Sequence, residues 1–149
     1  MKIIKPLCNF ENIENKVGEI INTPNWKFLI EKFKKAEHIY IIGNGGNWAV
    51  APHAAVDLAR LTKKKVFSLD STAYITSIAN DAGYENIFGE QLAVSGREGD
   101  LLIVFSGSGN SQNVVTAIEI AHKLKMQTVA ITGFDGGKCK QLAQLSIHF

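Results

Sequence analysis

The N-terminal part of the chain places its apolar side chains at helical spacing. From residue 8 to residue 36 they recur every three or four positions, as in a helix with one buried face. They are Ile13, Val17, Ile20, Ile21, Trp26, Leu29, Ile30 and Phe33. Thr23-Pro24 interrupts this run, and proline disrupts a helix interior, so we predict two helices or one bent helix. Thr23 is the predicted cap of the second piece, with Pro24 at its first position.

After residue 37 the pattern changes to short apolar runs that alternate with helix-like segments. The predicted strands are 38–42, 66–69, 101–105, 128–132 and 145–149. The predicted helices between them are 47–61, 72–80, 84–95, 111–125 and 137–144. Strands that alternate with helices predict an α/β fold, a parallel sheet with helices on both faces.

Length, composition and charge limit the class of protein. The 149 residues suit one domain with a single core. The net charge of +2 is too small to predict binding to nucleic acid or to a membrane surface. The N-terminus turns polar too early for a signal peptide, and no apolar run is long enough to span a bilayer. Cys8 and Cys139 form no CxxC pair, so we expect neither a zinc knuckle nor a redox motif, and we expect a cytoplasmic protein.

The strongest chemical signal is the loop Ser106-Gly107-Ser108-Gly109-Asn110-Ser111, between the third strand and its helix. Glycines let the backbone approach a phosphate closely, serine hydroxyls add donors, and a helix start offers unpaired N–H groups. The loop contains no lysine, so it is not a nucleotide P-loop. It predicts a phosphate site, and the alternative is a flexible turn with Ser111 as an N-cap.

A second glycine-rich turn, Gly43-Asn44-Gly45-Gly46-Asn47, follows the first strand. It lacks the complete GxGxxG fingerprint, so a dinucleotide site is not predicted, and an ordinary strand-to-helix turn is the alternative. In a parallel sheet both glycine-rich turns fall on the carboxyl edge, where ligands bind. Two such turns at one edge predict a ligand cleft.

Two further pairs carry candidate chemistry. His53 and Asp57 share one helix face at i, i+4 spacing, which suits an acid–base pair, two metal ligands or a hydrogen-bonded surface pair. Two ligands are too few for a closed zinc site, which takes four. Asn80 and Asp81 lie between two predicted helices, where a turn with a helix cap is the default and contact with a sugar hydroxyl the alternative.

Four segments together resemble the SIS, or sugar isomerase, domain, and within it the phosphoheptose isomerases. They are GNGGNWAVAPHAAVDLA, IANDAGYENIFGEQL, GREGDLLIVFSGSGNSQNVVTAIEIA and ITGFDGGK. The resemblance implies a three-layer, doubly wound sheet of five parallel strands. It also implies a homodimer or homotetramer whose N-terminal helices pack between subunits. We expect a single domain over residues 1–149, with a helical segment 1–37, a sheet core 38–149 and no counterpart of the family's C-terminal helix.

The resemblance also implies a role for each candidate residue. The implied phosphate-binding residues are Ser106, Gly107, Ser108 and Ser111. The implied sugar-binding residues are Asn44, Gly45, Gly46, Asn47 and Asn80. Asp57, His53 and Asp81 are the implied catalytic residues, with Asp57 as the base. Some family members hold zinc at the place of His53 and Asp57, which makes these two side chains candidate ligands.

The implied reaction converts sedoheptulose 7-phosphate to a heptose phosphate, used for lipopolysaccharide or capsule, through an enediolate. Two departures from the family pattern bear on it. The family usually has Glu at the position of Asp57, and its C-terminal helix supplies a catalytic His and a Gln beyond the position of Phe149. These departures favour the alternative, a non-catalytic SIS protein that binds sugar phosphate or regulates a partner. The motifs across the whole site region favour the isomerase, which we place first.

Overall fold

The computed structural model describes residues 10–149 as a five-stranded parallel sheet with helices on both faces. The strands are β1 (His38–Gly43), β2 (Lys65–Ser68), β3 (Leu101–Ser106), β4 (Gln127–Thr132) and β5 (Leu145–His148). The helices are α1 (Phe10–Ile21), α2 (Pro24–Lys35), α3 (Gly46–Thr62), α4 (Thr72–Asp81), α5 (Gly89–Ser95), α6 (Gln112–Lys123) and α7 (Gly137–Leu142). The sheet order is β2-β1-β3-β4-β5, and every pairing is parallel. The predicted fold class is confirmed.

The strand order reverses direction at β1. The chain passes from β1 to β2 on one side and then returns to place β3 on the other side. A crevice forms at such a switch point, beyond the carboxyl ends of the two strands that flank it. The predicted ligand cleft would therefore lie beyond β1 and β3.

The N-terminal helices are two separate helices, one of the two forms that the sequence predicts. The Thr23 hydroxyl accepts a hydrogen bond from the backbone N–H of Trp26, 3.2 Å away, and Pro24 is the first residue of α2. The cap satisfies one N–H that the helix itself leaves unpaired. Residues 8 and 9 of the predicted helical run lie outside the described residues, and so does Cys8.

The core has two layers, one on each face of the sheet. Phe88, Leu92, Val114 and Ile118 belong to the layer that α5 and α6 cover. The other layer, under α2 and α3, includes Leu29, Ala51, Ala55, Val129 and Ile147. Because helices cover both faces, the central strands are buried on both sides and read as continuous apolar runs.

The segment between α4 and α5 differs from the prediction. The predicted helix 84–95 is split into a single 3-10 turn, Tyr84–Asn86, and the helix α5. Asn80 and Asp81 end α4, and neither caps the 3-10 turn after it, so the default capping role is wrong. The chain turns instead at Gly83, whose φ of +92° favours glycine.

Within residues 10–149, no helix combines the length and the apolar composition that crossing a bilayer requires.

Candidate functional site

The glycine turn (residues 43–47) and the serine loop (residues 106–111) leave neighbouring strands at the same edge of the sheet. Strands β1 and β3 pair in parallel, and the register ends with Gly43 beside Phe105. The two segments therefore start side by side at the switch point. The predicted common edge is confirmed.

The serine loop is shaped by hydrogen bonds among its own residues. The Ser106 hydroxyl is buried and accepts from the Gly109 N–H at 3.1 Å. The Ser108 hydroxyl accepts from the Asn110 N–H at 3.3 Å. Gly109 has a φ of +67°, which any other residue adopts only with strain. Gly107 and Ser108 lie on the exposed side of the loop, and Ser111 is half-buried.

The segment from Gly133 to Cys139, before and within the start of α7, clamps the serine loop from behind. The Gly133 N–H donates to the Gly107 carbonyl at 3.0 Å, and the Cys139 N–H donates to the Gly109 carbonyl at 2.9 Å. A Cβ at position 109 would collide with the backbone carbonyl of Gly136. This clamp was missed by the sequence analysis, since its two partners are separated in the chain by α6 and β4.

Cys139 lies fully buried behind the loop. Burial raises the pKa of its thiol to about 11, and a hydrogen bond with the Ser106 hydroxyl acts weakly in the opposite direction. A thiol held in its neutral form is a poor nucleophile. Cys139 is therefore a packing residue under the loop.

Helix α6 starts directly after the serine loop, at Gln112. Ser111 occupies the N-cap position, but its side chain makes no capping hydrogen bond. The alternative interpretation of Ser111 as an N-cap is therefore confirmed for its position, but its hydroxyl does not cap the helix and remains available to a ligand. The first N–H groups of a helix have no partner within it, and together with the helix dipole they favour an anion.

The glycine turn is tied to α6 by a pair of amide side chains. Nδ2 of Asn44 donates to Oδ1 of Asn113 at 2.7 Å, and Nδ2 of Asn113 donates to Oδ1 of Asn44 at 3.0 Å. The Tyr84 hydroxyl also donates to Oδ1 of Asn44, at 3.4 Å. Three site segments thus meet at one side chain. Asn113 and Tyr84 were missed by the sequence analysis, although an asparagine within the apolar face of α6 is a signal that could have identified Asn113.

The rest of the glycine turn leads directly into α3. Gly45 has a φ of +58°, and a Cβ at Gly43 would lie 2.7 Å from the Cβ of Asn47. The glycines therefore let the chain turn sharply and start a helix against the end of β1. Gly45 and Gly46 are exposed and Asn47 is half-buried, so part of this backbone is open to solvent at the carboxyl end of β1.

His53 and Asp57 form the predicted pair on α3. Nε2 of His53 lies 3.4 Å from Oδ2 of Asp57, and the two side chains are 80% and 52% exposed. The buried face of the same helix carries Ala51 and Ala55. No hydrogen bond or ion pair in the described part of the chain connects the pair with the serine loop. The structure brings the two side chains together on an open surface.

The described residues do not fit a closed zinc site. Zinc takes four ligands in a structural site and three plus water in a catalytic one. Between residues 10 and 149, no three His, Cys, Asp or Glu side chains come close enough together to hold a metal ion. His53 and Asp57 supply two ligands, and we derive no catalytic step through a metal.

Asn80 and Asp81 end α4 near the glycine turn. The Asn80 amide donates to Oδ1 of Asp81 at 2.7 Å, and both residues are exposed. Their link to the turn is through Tyr84, which bonds Asn44. The segment 80–84 is thus joined to the glycine turn, while the carboxylate of Asp81 remains open to solvent.

Comparisons with known proteins cover the same segments. A family model described as the SIS domain matches residues 21–133. The phosphoheptose isomerase of Akkermansia muciniphila is 36% identical over 145 residues, which cover 93% of this chain and 76% of that protein. That of Aliarcobacter butzleri is 35% identical over 154 residues, covering 97% and 82%. A solved structure of the phosphoheptose isomerase from Neisseria gonorrhoeae superposes with a TM-score of 0.83 at 30% identity, covering 91% of this chain and 77% of that one.

Proposed function

Since the chain belongs to the SIS domain family, we propose that it is a sugar-phosphate isomerase that interconverts sedoheptulose 7-phosphate and a heptose 7-phosphate. The observation that carries the proposal is the placement of the serine loop beside the glycine turn at the switch point between β1 and β3. Relatives at 35–36% identity carry the name phosphoheptose isomerase. The product of this reaction would supply heptose for lipopolysaccharide or capsule.

In this proposal the serine loop binds the phosphate end of the substrate. The exposed backbone at Gly107 and the hydroxyls of Ser108 and Ser111 contact the phosphate oxygens, together with the free N–H groups at the start of α6. Ser106 contributes indirectly. Its buried hydroxyl accepts a hydrogen bond from the Gly109 N–H and so maintains the loop conformation. Because residues 133–139 already hold the loop in one conformation, the loop has to lose little conformational freedom when phosphate binds.

The glycine turn and the segment 80–84 contact the sugar. Asn44, Gly45, Gly46 and Asn47 border the cleft next to the phosphate, and Asn80 lies on the neighbouring segment. Hydroxyl groups of a sugar need donors and acceptors at fixed positions, which backbone amides and asparagine side chains supply. Asp81, with its exposed carboxylate, accepts from a sugar hydroxyl in this proposal.

Asp57 acts as the base in the proposed mechanism. Its carboxylate removes the proton from C1 of the ketose, the electrons form the enediolate, and the proton returns to C2 to give the aldose. General acid–base catalysis of this kind contributes about 10²- to 10⁴-fold. His53, 3.4 Å from the carboxylate, orients it and moves the proton between the two sugar oxygens.

The proposed assembly is a homodimer or homotetramer in the cytoplasm. Along α1, Ile13, Val17 and Ile21 recur every four residues, and each is at least 40% exposed. A row of exposed apolar side chains on one helix face marks an interaction surface, here with a second copy of the chain. Sedimentation equilibrium measures the assembly directly, and a monomer at working concentration would contradict this part of the proposal.

The function is tested by isomerisation in deuterated water. The wild-type protein is incubated with sedoheptulose 7-phosphate, and NMR follows product formation and deuterium incorporation next to the carbonyl. We expect both to appear, because the base exchanges its proton with solvent. Sedoheptulose without phosphate is the control and should react far more slowly. Binding of the sugar phosphate without exchange or product would favour the non-catalytic alternative.

A further inference from the structure

We propose that Asn113 is a positioning residue. Through its paired hydrogen bonds with Asn44 it sets the glycine turn against the serine loop, so that one sugar phosphate contacts both segments. The inference rests on the proposed function, because it assigns the two segments to two parts of one ligand. It concerns the position of the glycine turn relative to the serine loop, which can be measured without a catalytic assay.

Asn113 is a polar side chain in the buried face of α6. Asn113 is 2% exposed and lies on the inward side of α6, where its neighbours include Val114 and Ala117. A buried amide without partners is costly, so a polar residue at this position needs a specific pairing. The pairing with Asn44 engages the oxygen and the nitrogen of both amides.

The backbone pairing of β1 with β3 stops where the glycine turn and the serine loop begin. The β1–β3 pairing ends with Gly43 beside Phe105. Beyond that point, no backbone hydrogen bond in the described chain joins the glycine turn to the serine loop. The side-chain pair therefore supplies the polar link between the two halves of the cleft.

The amide pair joins the first turn of α6 to the end of β1. Asn113 follows Ser111 by two residues, within the first turn of α6, so it is rigidly connected to the phosphate end of the site. Asn44 is the first residue after β1. Tyr84 donates to the same Asn44 oxygen at 3.4 Å and brings the segment 80–84 into the arrangement. One amide pair thus sets the spacing between the phosphate side and the sugar side.

Hydrogen exchange of the unliganded protein tests the positioning itself. In Asn113→Ala, we expect the amides of residues 43–48 to exchange about tenfold faster, because a buried hydrogen-bonded contact is lost. Thr128→Val is the matched control. Thr128 is also buried and hydrogen-bonded, to His122 and Gln144, but it lies at the opposite edge of the sheet. The control should leave exchange at 43–48 unchanged.

Ligand binding separates positioning from general destabilisation. Inorganic phosphate contacts the serine loop and the backbone N–H groups at the start of α6 but not the Asn113 side chain, so its affinity for Asn113→Ala should change by less than about twofold. Sedoheptulose 7-phosphate contacts both segments, so its affinity should fall about tenfold. Asn44→Ala should give the same pattern, and the double variant should lose less than the sum of the two single losses. If Asn113→Ala fails to fold, Asn44→Ala still tests the inference, because it breaks the same hydrogen-bonded pair.

Two results would overturn the inference: unchanged exchange at residues 43–48 in both single variants, or an equal loss of affinity for inorganic phosphate and sugar phosphate. If the wild-type protein neither binds nor converts sedoheptulose 7-phosphate, the proposed function fails. Hydrogen exchange then still decides whether Asn113 positions the glycine turn.

Discussion

The serine loop and the outer face of α3 carry the two halves of the proposed chemistry, and they are built differently. The loop is held by its own hydroxyls, by the clamp of residues 133–139 and by a helix start. His53 and Asp57 contact each other on a surface where both are more than half exposed. The proposed phosphate site is therefore held in place within one chain, whereas the proposed acid–base pair is exposed and depends on the bound substrate or on a second copy of the chain to cover it.

The largest expected effect is the loss of catalytic rate when the exposed carboxylate of Asp57 is removed. Asp57→Ala should lower kcat by about 10²- to 10⁴-fold, because the variant lacks the proposed base. The free energy of unfolding should change by less than about 0.5 kcal/mol, since the side chain is exposed. Steady-state kinetics and urea unfolding measure the two effects. Glu119→Ala, an exposed carboxylate on α6, is the control and should leave both unchanged.

The contrast between the two regions is contradicted if Asp57→Ala unfolds the protein, or if it abolishes binding of sedoheptulose 7-phosphate. Either result would mean that the Asp57 side chain itself contributes to the phosphate site or to the stability of the fold.

The next effect is on the loop itself. Gly109→Ala should reduce the free energy of unfolding by about 3 kcal/mol or more, because φ is positive and the new Cβ meets the Gly136 carbonyl. The Gly109→Ala variant should also lose its affinity for phosphate. Gly107→Ala is the matched control in the same loop, where the nearest atom to a new Cβ is the Phe134 ring at 3.6 Å, an ordinary contact. Chemical denaturation should show a change of less than about 1 kcal/mol for the control.

If Gly107→Ala and Gly109→Ala prove equally stable, the clamp behind the loop does not constrain it, and the loop is no more rigid than the surface of α3.

A smaller effect separates the serines by role. Ser111→Ala should weaken phosphate binding by about 1–2 kcal/mol without changing the unfolding midpoint, because its hydroxyl makes no capping hydrogen bond. Ser106→Ala should lower stability by about 1 kcal/mol, because the Gly109 N–H loses its acceptor. Calorimetric titration with phosphate and thermal unfolding distinguish the two. A loss of stability in Ser111→Ala would reassign that hydroxyl to capping the helix.

The smallest effect reports on the packing under the loop. The pKa of Cys139 is raised by burial from 9.0 to about 11, so the unfolded chain releases this proton at lower pH than the folded one. The stability linked to this thiol is complete below about pH 9 and is lost as the pH rises towards 11. Between pH 8 and 9.5 the loss should be no more than about 1 kcal/mol. In Cys139→Ser, the free energy of unfolding should fall by that much less over this pH range. If wild type and variant show the same dependence of unfolding free energy on pH, the thiol is accessible to solvent.

Local patterns predicted the fold well, and they located most of the candidate site segments. The spacing of apolar residues is a local property, so it identified the strands, the helix pair at Thr23-Pro24 and the two glycine-rich turns. The split of the segment 84–95 was not predicted, because residues on both sides of the break share a helix-like pattern and Gly83 determines the turn.

The amino-acid sequence by itself determined the order of strands and helices, the position of the serine loop between a strand and a helix, and the resemblance to the SIS domain. These depend on periodicity and on short motifs, which neighbouring residues specify. The tertiary structure alone decided that Asn44 pairs with Asn113, 69 residues away, that residues 133–139 clamp the serine loop, and that His53 and Asp57 face solvent. Such contacts join segments that are distant in the chain, so only the folded packing of strands and helices brings them together.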